Sequence, residues 1–202
     1  MVYSRGEHPL TKAGNSRRKY DAEDTQARLV LAAQRAFTRA KFEDVNVREL
    51  ARSADANPAL VNRYFGSKKG LFEACFTDLQ AQNPLQAVPI NRWSEFLADM
   101  LVGKMGSAVD FDPLLAMLRS SQSLIVGDFV RETLRSHIIE PFNELMPHDE
   151  SRDAKGRALL ALILGVDVIE RMFKLEFAQE AKPSLKSIYA VAIAAIVKPQ
   201  LP

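Results

Sequence analysis

The sequence predicts an all-α protein of about nine helices, a small N-terminal helical unit followed by a larger one. Three observations carry this. Apolar residues recur at three- and four-residue intervals along most of the chain, and no stretch alternates as a strand would. Helix-start signals precede several periodic segments: Asn46, the pair Asn57–Pro58, Ser67 and the pair Asp112–Pro113. QNPLQAVPIN at 82–91, with two prolines, is the first clear interruption.

Taken in order, residues 1–22 are polar and without periodicity. They are expected to form a flexible tail with a basic cluster at Arg17, Arg18 and Lys19. From about Asp24, residues Leu29, Ala33, Ala36, Phe37 and Ala40 share one helical face. Val47, Leu50, Ala51 and Ala54 make a shorter face, with Asn46 as its cap and Glu49 completing a capping box. Asn57 as cap and Pro58 as first residue open a helix that Gly66 ends after about two turns. Ser67 caps a fourth, whose apolar positions are Leu71, Phe72, Cys75, Phe76 and Leu79. Past the interruption, helices are predicted within 92–105, 112–124, 127–146, 151–176 and 184–197, with Pro141 kinking or dividing the third. The expected domains are 23–82 and 91–202.

Charge is spread unevenly. Residues 1–70 hold 14 Lys/Arg against 8 Asp/Glu, whereas residues 71–202 hold 13 against 17. A basic front and a mildly acidic back suit a front that meets a polyanion, although charge also fluctuates along any chain. The lone Cys75 makes no internal disulfide and fits a reducing cytoplasm. No apolar run approaches the roughly 20 residues that span a bilayer, and the N-terminus lacks the apolar core of a signal peptide. Three scattered histidines and one cysteine make no metal site. With neither a Gly-rich phosphate loop nor a nucleophile elbow, the chain is not expected to be an enzyme or to hold a cofactor.

The chemistry concentrates in 47–69. Two short helices, 47–54 and 58–64, follow a longer one across a tight connection, the plan of a helix-turn-helix whose second short helix enters the major groove. Lys68 and Lys69 then open the next helix, at the end where the macrodipole already places positive charge. Open backbone N–H groups, the Ser67 hydroxyl and two ammonium groups together would seat a phosphate. The alternative is that both lysines merely solvate an exposed turn.

These residues carry a resemblance. Residues 24–80, through "VRELA", "ANPALVNRYFGSK" and the lysine that opens the fourth helix, resemble the DNA-binding domain of the tetracycline-repressor (TetR) family of transcriptional regulators. The resemblance implies that Arg48 contacts phosphate and that Asn57, Pro58 and Ala59 meet DNA at the start of the recognition helix, which also carries Arg63. It further implies that Tyr64 packs or touches phosphate and that Lys68, with Lys69 beside it, grips the backbone. Three positions depart from the family pattern. Asp55 stands at a turn usually held by Gly, and Asp tolerates a left-handed backbone at some cost. Asn62 replaces a Tyr, so it either pairs bidentately with adenine or contacts phosphate. Lys41 replaces a Gly after the first helix. Arg17 and Arg18 either reach a narrow minor groove or stay in a solvated tail.

The second unit resembles the family's variable effector-binding and dimerisation region. Apolar residues nearly encircle 158–172 and cover a broad face of 184–197, as a four-helix dimer interface requires, or else a monomeric core. Expected interface residues are Leu160, Leu164, Gly165, Leu185, Ile188, Tyr189, Ala192 and Ile196. Met100, Met105, Met117, Leu118, Phe129, His137, Phe142, Asp167 and Met172 are candidates to line an effector cavity, or simply pack the core. The resulting expectation is a cytoplasmic, homodimeric, ligand-responsive repressor that binds a palindromic operator in double-stranded DNA and is released by a small apolar molecule. A regulator without effector, or an all-α enzyme or carrier, are the alternatives.

Overall fold

The computed structural model describes residues 10–77, 79, 84–104, 110–146, 148–173, 175 and 179–198. Among them lie nine helical rods and no strand, as expected. The N-terminal unit holds α1 (Leu10–Arg39), α2 (Val47–Ser53), α3 (Ala59–Phe65) and α4 (Lys68–Ala74). Beyond it come α5 (Trp93–Lys104), α6 (Pro113–Ser120), α7 (Gly127–Leu134), α8 (Glu140–Leu145), α9 (Arg152–Asp167) and α10 (Lys182–Val197). A π-turn, Arg135–Ile139, joins α7 to α8 as one rod. Pro141 lies at the start of α8, and the widened turn just upstream takes up its missing N–H and its ring. A second π-turn, Val168–Met172, extends α9.

α1 starts at Leu10, so the flexible tail assigned to 1–22 is helical from that residue on. Residues 10–22 contain no proline and only one glycine, Gly14. Helix extension costs little once a nucleus exists. The buried part of α1, where Leu29, Ala33 and Phe37 are sealed from solvent, supplies that nucleus.

Two apolar cores organise the molecule. The first packs α1 to α4 around Phe37, Val61, Leu71 and Phe72, and it does not stop at the interruption. Ala116 and Met117 of α6, Val126, and Val130 of α7 belong to it. Aromatic contacts run through it: Phe42 to Phe72 at 5.6 Å, Phe72 to Phe129 at 5.9 Å, and Phe76 to both Phe111 and Phe129 at 5.7 and 5.8 Å. The second core packs α5, α8, α9 and α10 around Trp93, whose indole N–H donates to the Val88 carbonyl at 2.9 Å.

A polar joint links the elements around these cores. Asp112 caps α6 by accepting from the Leu115 N–H, and its other oxygen pairs with Arg171 of the second π-turn. Arg171 also donates to Asp167 at 3.4 Å. The Asp112 N–H donates to the Thr38 hydroxyl in the last turn of α1, whose carbonyl accepts from Arg119 of α6. The end of α9 is thereby tied, through the start of α6, to the helix that carries the N-terminal unit.

Candidate nucleic-acid interface

Each turn of the N-terminal unit is fixed by one polar side chain. The Asn46 side chain accepts from the Arg48 N–H at 2.9 Å, one position earlier than the Glu49 N–H a capping box would use. The Asn57 side chain accepts from the Ala59 N–H at 2.9 Å, which does the capping expected of it. The Ser67 hydroxyl accepts from the Gly70 N–H at 3.0 Å. Asp55 takes φ 50°, the left-handed turn its position predicted, and Gly66 takes φ 73° to end α3. Lys41 has an extended backbone at φ −68°, so no glycine is needed there. Arg28 of α1 braces the α2–α3 turn, donating to the Ala54 carbonyl at 2.7 Å while paired with Asp24 at 3.0 Å.

The result is a recognition helix with one open face. Asn57, Pro58, Ala59, Asn62 and Arg63 are exposed, whereas Val61 is fully buried and Leu60, Tyr64 and Phe65 pack against the first core. Arg63 lies over the Tyr64 ring at 5.9 Å. Arg48 is exposed on α2, and with Arg52 it lines an open depression bounded by Asp55, Ala56, Asn57 and Pro58. The structure thus brings Arg48 together with Asn57 and Pro58. The backbone of Arg17 and Arg18 runs in α1, while their side chains lie outside the described residues.

Each of the two lysines of α4 has a partner inside the protein. The Lys68 ammonium donates to the Glu43 carbonyl at 3.2 Å and sits 4.7 Å from the Phe42 ring centre. Burial holds its pKa below the usual lysine value, against the pull of Glu43 and Asp44. Lys69 pairs with Glu73 at 3.7 Å. The electrostatic cost of cations at this helix start is therefore offset locally, before any phosphate arrives. Glu43 is itself held below its usual pKa, chiefly by a hydrogen bond with Ser123 in the α6–α7 turn.

The effector candidates fall into separate groups rather than one chamber. Met117 and Phe129 belong to the first core, and Phe142 and Met100 to the second. Asp167 is buried in the polar joint. Leu118 and His137 are half-buried, Met172 is exposed, and Met105 lies outside the described residues. Of the expected interface residues, Leu160 is buried and Ile188 is exposed. Leu164, Gly165, Leu185, Tyr189, Ala192 and Ile196 are half-buried. Sequence reasoning missed Thr38, Phe111, Arg119 and Arg171, because their roles depend on partners far along the chain.

A three-helix unit with a solvent-facing second short helix and arginines beside it defines a helix-turn-helix DNA-binding protein. Residues 29–75 match the family model described as bacterial regulatory proteins, tetR family. Over those residues the chain resembles the DNA-binding unit of that family. It is 26% identical over 152 residues to the HTH-type transcriptional regulator BetI of Escherichia coli (strain K12), a match covering 68% of this chain and 77% of BetI. The BetI of Klebsiella pneumoniae (strain 342) shows the same identity, 26%, over the same length. The fold resembles that of NalD, the secondary repressor of the MexAB-OprM multidrug efflux pump in Pseudomonas aeruginosa. The TM-score is 0.57 at 20% identity, over 85% of this chain and 97% of NalD. These relatives are regulators, not enzymes. Among the described residues no helix is long and apolar enough to cross a membrane.

Proposed function

We propose that the chain is a cytoplasmic, ligand-responsive repressor that binds a palindromic operator as a homodimer and is released by a small apolar effector. The observation that carries this reading is the open face of α3, with Asn57, Pro58, Ala59, Asn62 and Arg63 exposed above a sealed Val61. Residues 23–82 serve as the DNA-binding unit and 91–202 as the effector-binding and dimerisation unit. Asn62 reads a base edge or holds a phosphate, and Arg48 and Lys68 grip the backbone. To do so, Lys68 trades its Glu43 contact for phosphate. The naming of NalD as a repressor supports repression by analogy.

Coupling has a physical route. Phe129 of α7 touches Phe72 and Phe76, and Phe72 touches Phe42, over which Lys68 lies. An effector that shifts α6 or α7 therefore displaces the packing beneath α4. It must bind the two arrangements unequally to change DNA affinity. Dimerisation is supported by exposed apolar residues on the last two rods: Ile169, Phe173, Ile188 and Val191 are 43, 69, 61 and 71% exposed. Footprinting on DNA upstream of the chain's own coding region tests the reading. Two protected half-sites on one face, about 34–36 Å apart or a further turn, are expected. Protection of one half-site alone would contradict the homodimer.

A second reading, regulation without an effector, is favoured by the tight burial of Met117, which is 2% exposed. Thermal shift against apolar compounds separates the two. Stabilisation by any compound that also weakens DNA binding supports the first.

A further inference from the structure

We propose that Arg52 is a DNA-phosphate contact that works as a pair with Arg48. Together they seat successive phosphates of one strand in the notch between the end of α2 and the start of α3. The inference rests on the DNA-binding reading above.

Residues 21–77 carry nine Lys or Arg residues. Six are engaged inside the protein. Arg28 pairs with Asp24, Arg35 with Asp110, Lys41 with Asp44 and Lys69 with Glu73. Arg63 lies over Tyr64, and Lys68 over Phe42. Among the described residues, Arg39, Arg48 and Arg52 have no carboxylate, carbonyl or ring partner. A cation already engaged gives up a contact when it turns to phosphate, whereas an unengaged one keeps its full gain. Arg39 lines a different depression along α1, beside Arg28 and Arg35. The two unengaged arginines near the recognition helix are therefore Arg48 and Arg52, and they share one depression with Asn57 and Pro58.

Their spacing suits the ligand. Four residues apart on α2, they lie on one helix face, about 6 Å apart along the axis. Phosphates on one strand of duplex DNA follow each other every 3.4 Å or so of helix axis, within the span of two long, flexible side chains. A strand seated there runs past Asn57 and Pro58, where α3 begins, and so brings the open face of α3 toward the groove. Among the lining residues, Asp55 is the one carboxylate, and it opposes the phosphate. Such a contact fixes register without reading sequence.

The test is fluorescence anisotropy of the full-length protein on operator DNA and on an unrelated duplex, across a salt series. For Arg52→Gln we expect weaker binding to both duplexes by the same factor, about five- to tenfold near 0.1 M salt, and a salt slope shallower by about 1. Arg52→Lys is expected to keep the slope. Asp55→Asn is expected to strengthen binding to both duplexes. Unchanged affinity and slope in Arg52→Gln, with wild-type protein binding normally, would overturn the assignment. So would a loss confined to one sequence, which would mark a base contact. Failure of the wild-type protein to bind any duplex would instead overturn the DNA-binding reading, and this inference with it.

Discussion

Gly70 sits where α4 meets the last carbonyl of α3. A Cβ at this position would land on the Phe65 carbonyl oxygen, a backbone atom that cannot swing aside. Gly70→Ala is expected to lower unfolding stability by about 1–3 kcal/mol, read from denaturant melts. Wild-type stability would show that the two helices are not held so close. Cys75 offers a second check. Burial pushes its thiol pKa from 9.0 up to about 12. Below pH 9.0 the thiol is protonated in both the folded and the unfolded chain and stability is complete; above it the unfolded thiol ionises while the buried one does not. Stability falls as pH rises toward about 12, by at most about 1.4 kcal/mol per pH unit. Cys75→Ala should remove that component of the alkaline limb, and native Cys75 should resist alkylation at neutral pH. Fast alkylation of the folded protein would contradict its burial. Asn57, Ser67 and Asp55 were legible in the sequence, because caps and left-handed turns are decided by neighbours in the chain. Gly70 was not, because its constraint comes from the preceding helix folding back, and the internal partners of Lys68 were not for the same reason: Phe42 and Glu43 lie about 25 positions away.

Among the elements, the joint of α1, α6 and α9 carries the most leverage. Asp112 and Asp167 are 2 and 1% exposed, and Arg171 bonds to both. Removing one partner of a buried ion pair leaves charge without compensation. Arg171→Met is expected to cost of order 3 kcal/mol, and adding Asp112→Asn should return part of it. A thermal or denaturant double-mutant cycle measures this, and additive losses would show that the pair is not coupled. Because Asp112 also meets Thr38 at the end of α1, the same variant should alter how strongly a ligand changes DNA affinity. The rods themselves were legible: apolar periodicity and cap signals located 112–124, 127–146 and 184–197 closely. What periodicity could not give was the length of α1, because the apolar residues that mark its face in the sequence begin only at Leu29. Nor could it reveal that Met117 and Phe129 pack against the N-terminal unit.

For the molecule as a whole, the charge asymmetry and the fold give one picture. The basic front third presents α3, and exposed apolar residues after α9 and along α10 form the face we propose for a second copy. The shared first core joins these two roles, so the expected boundary near 82–91 separates them in sequence more than in packing. Residues 24–80 were readable from sequence because DNA sets their spacing. The second unit was readable only as helices, since an apolar side chain looks alike in sequence whether it lines a cavity, a core or a dimer interface. The most direct test of the central claim is a titration of the purified chain against duplex DNA at about 50 and about 200 mM salt. Binding at the lower concentration, weakened by about 10³ or more at the higher, is the result predicted for six or more phosphate contacts. A chain that ignores duplex DNA of every sequence at low salt, or binds it equally well at both, would contradict the account.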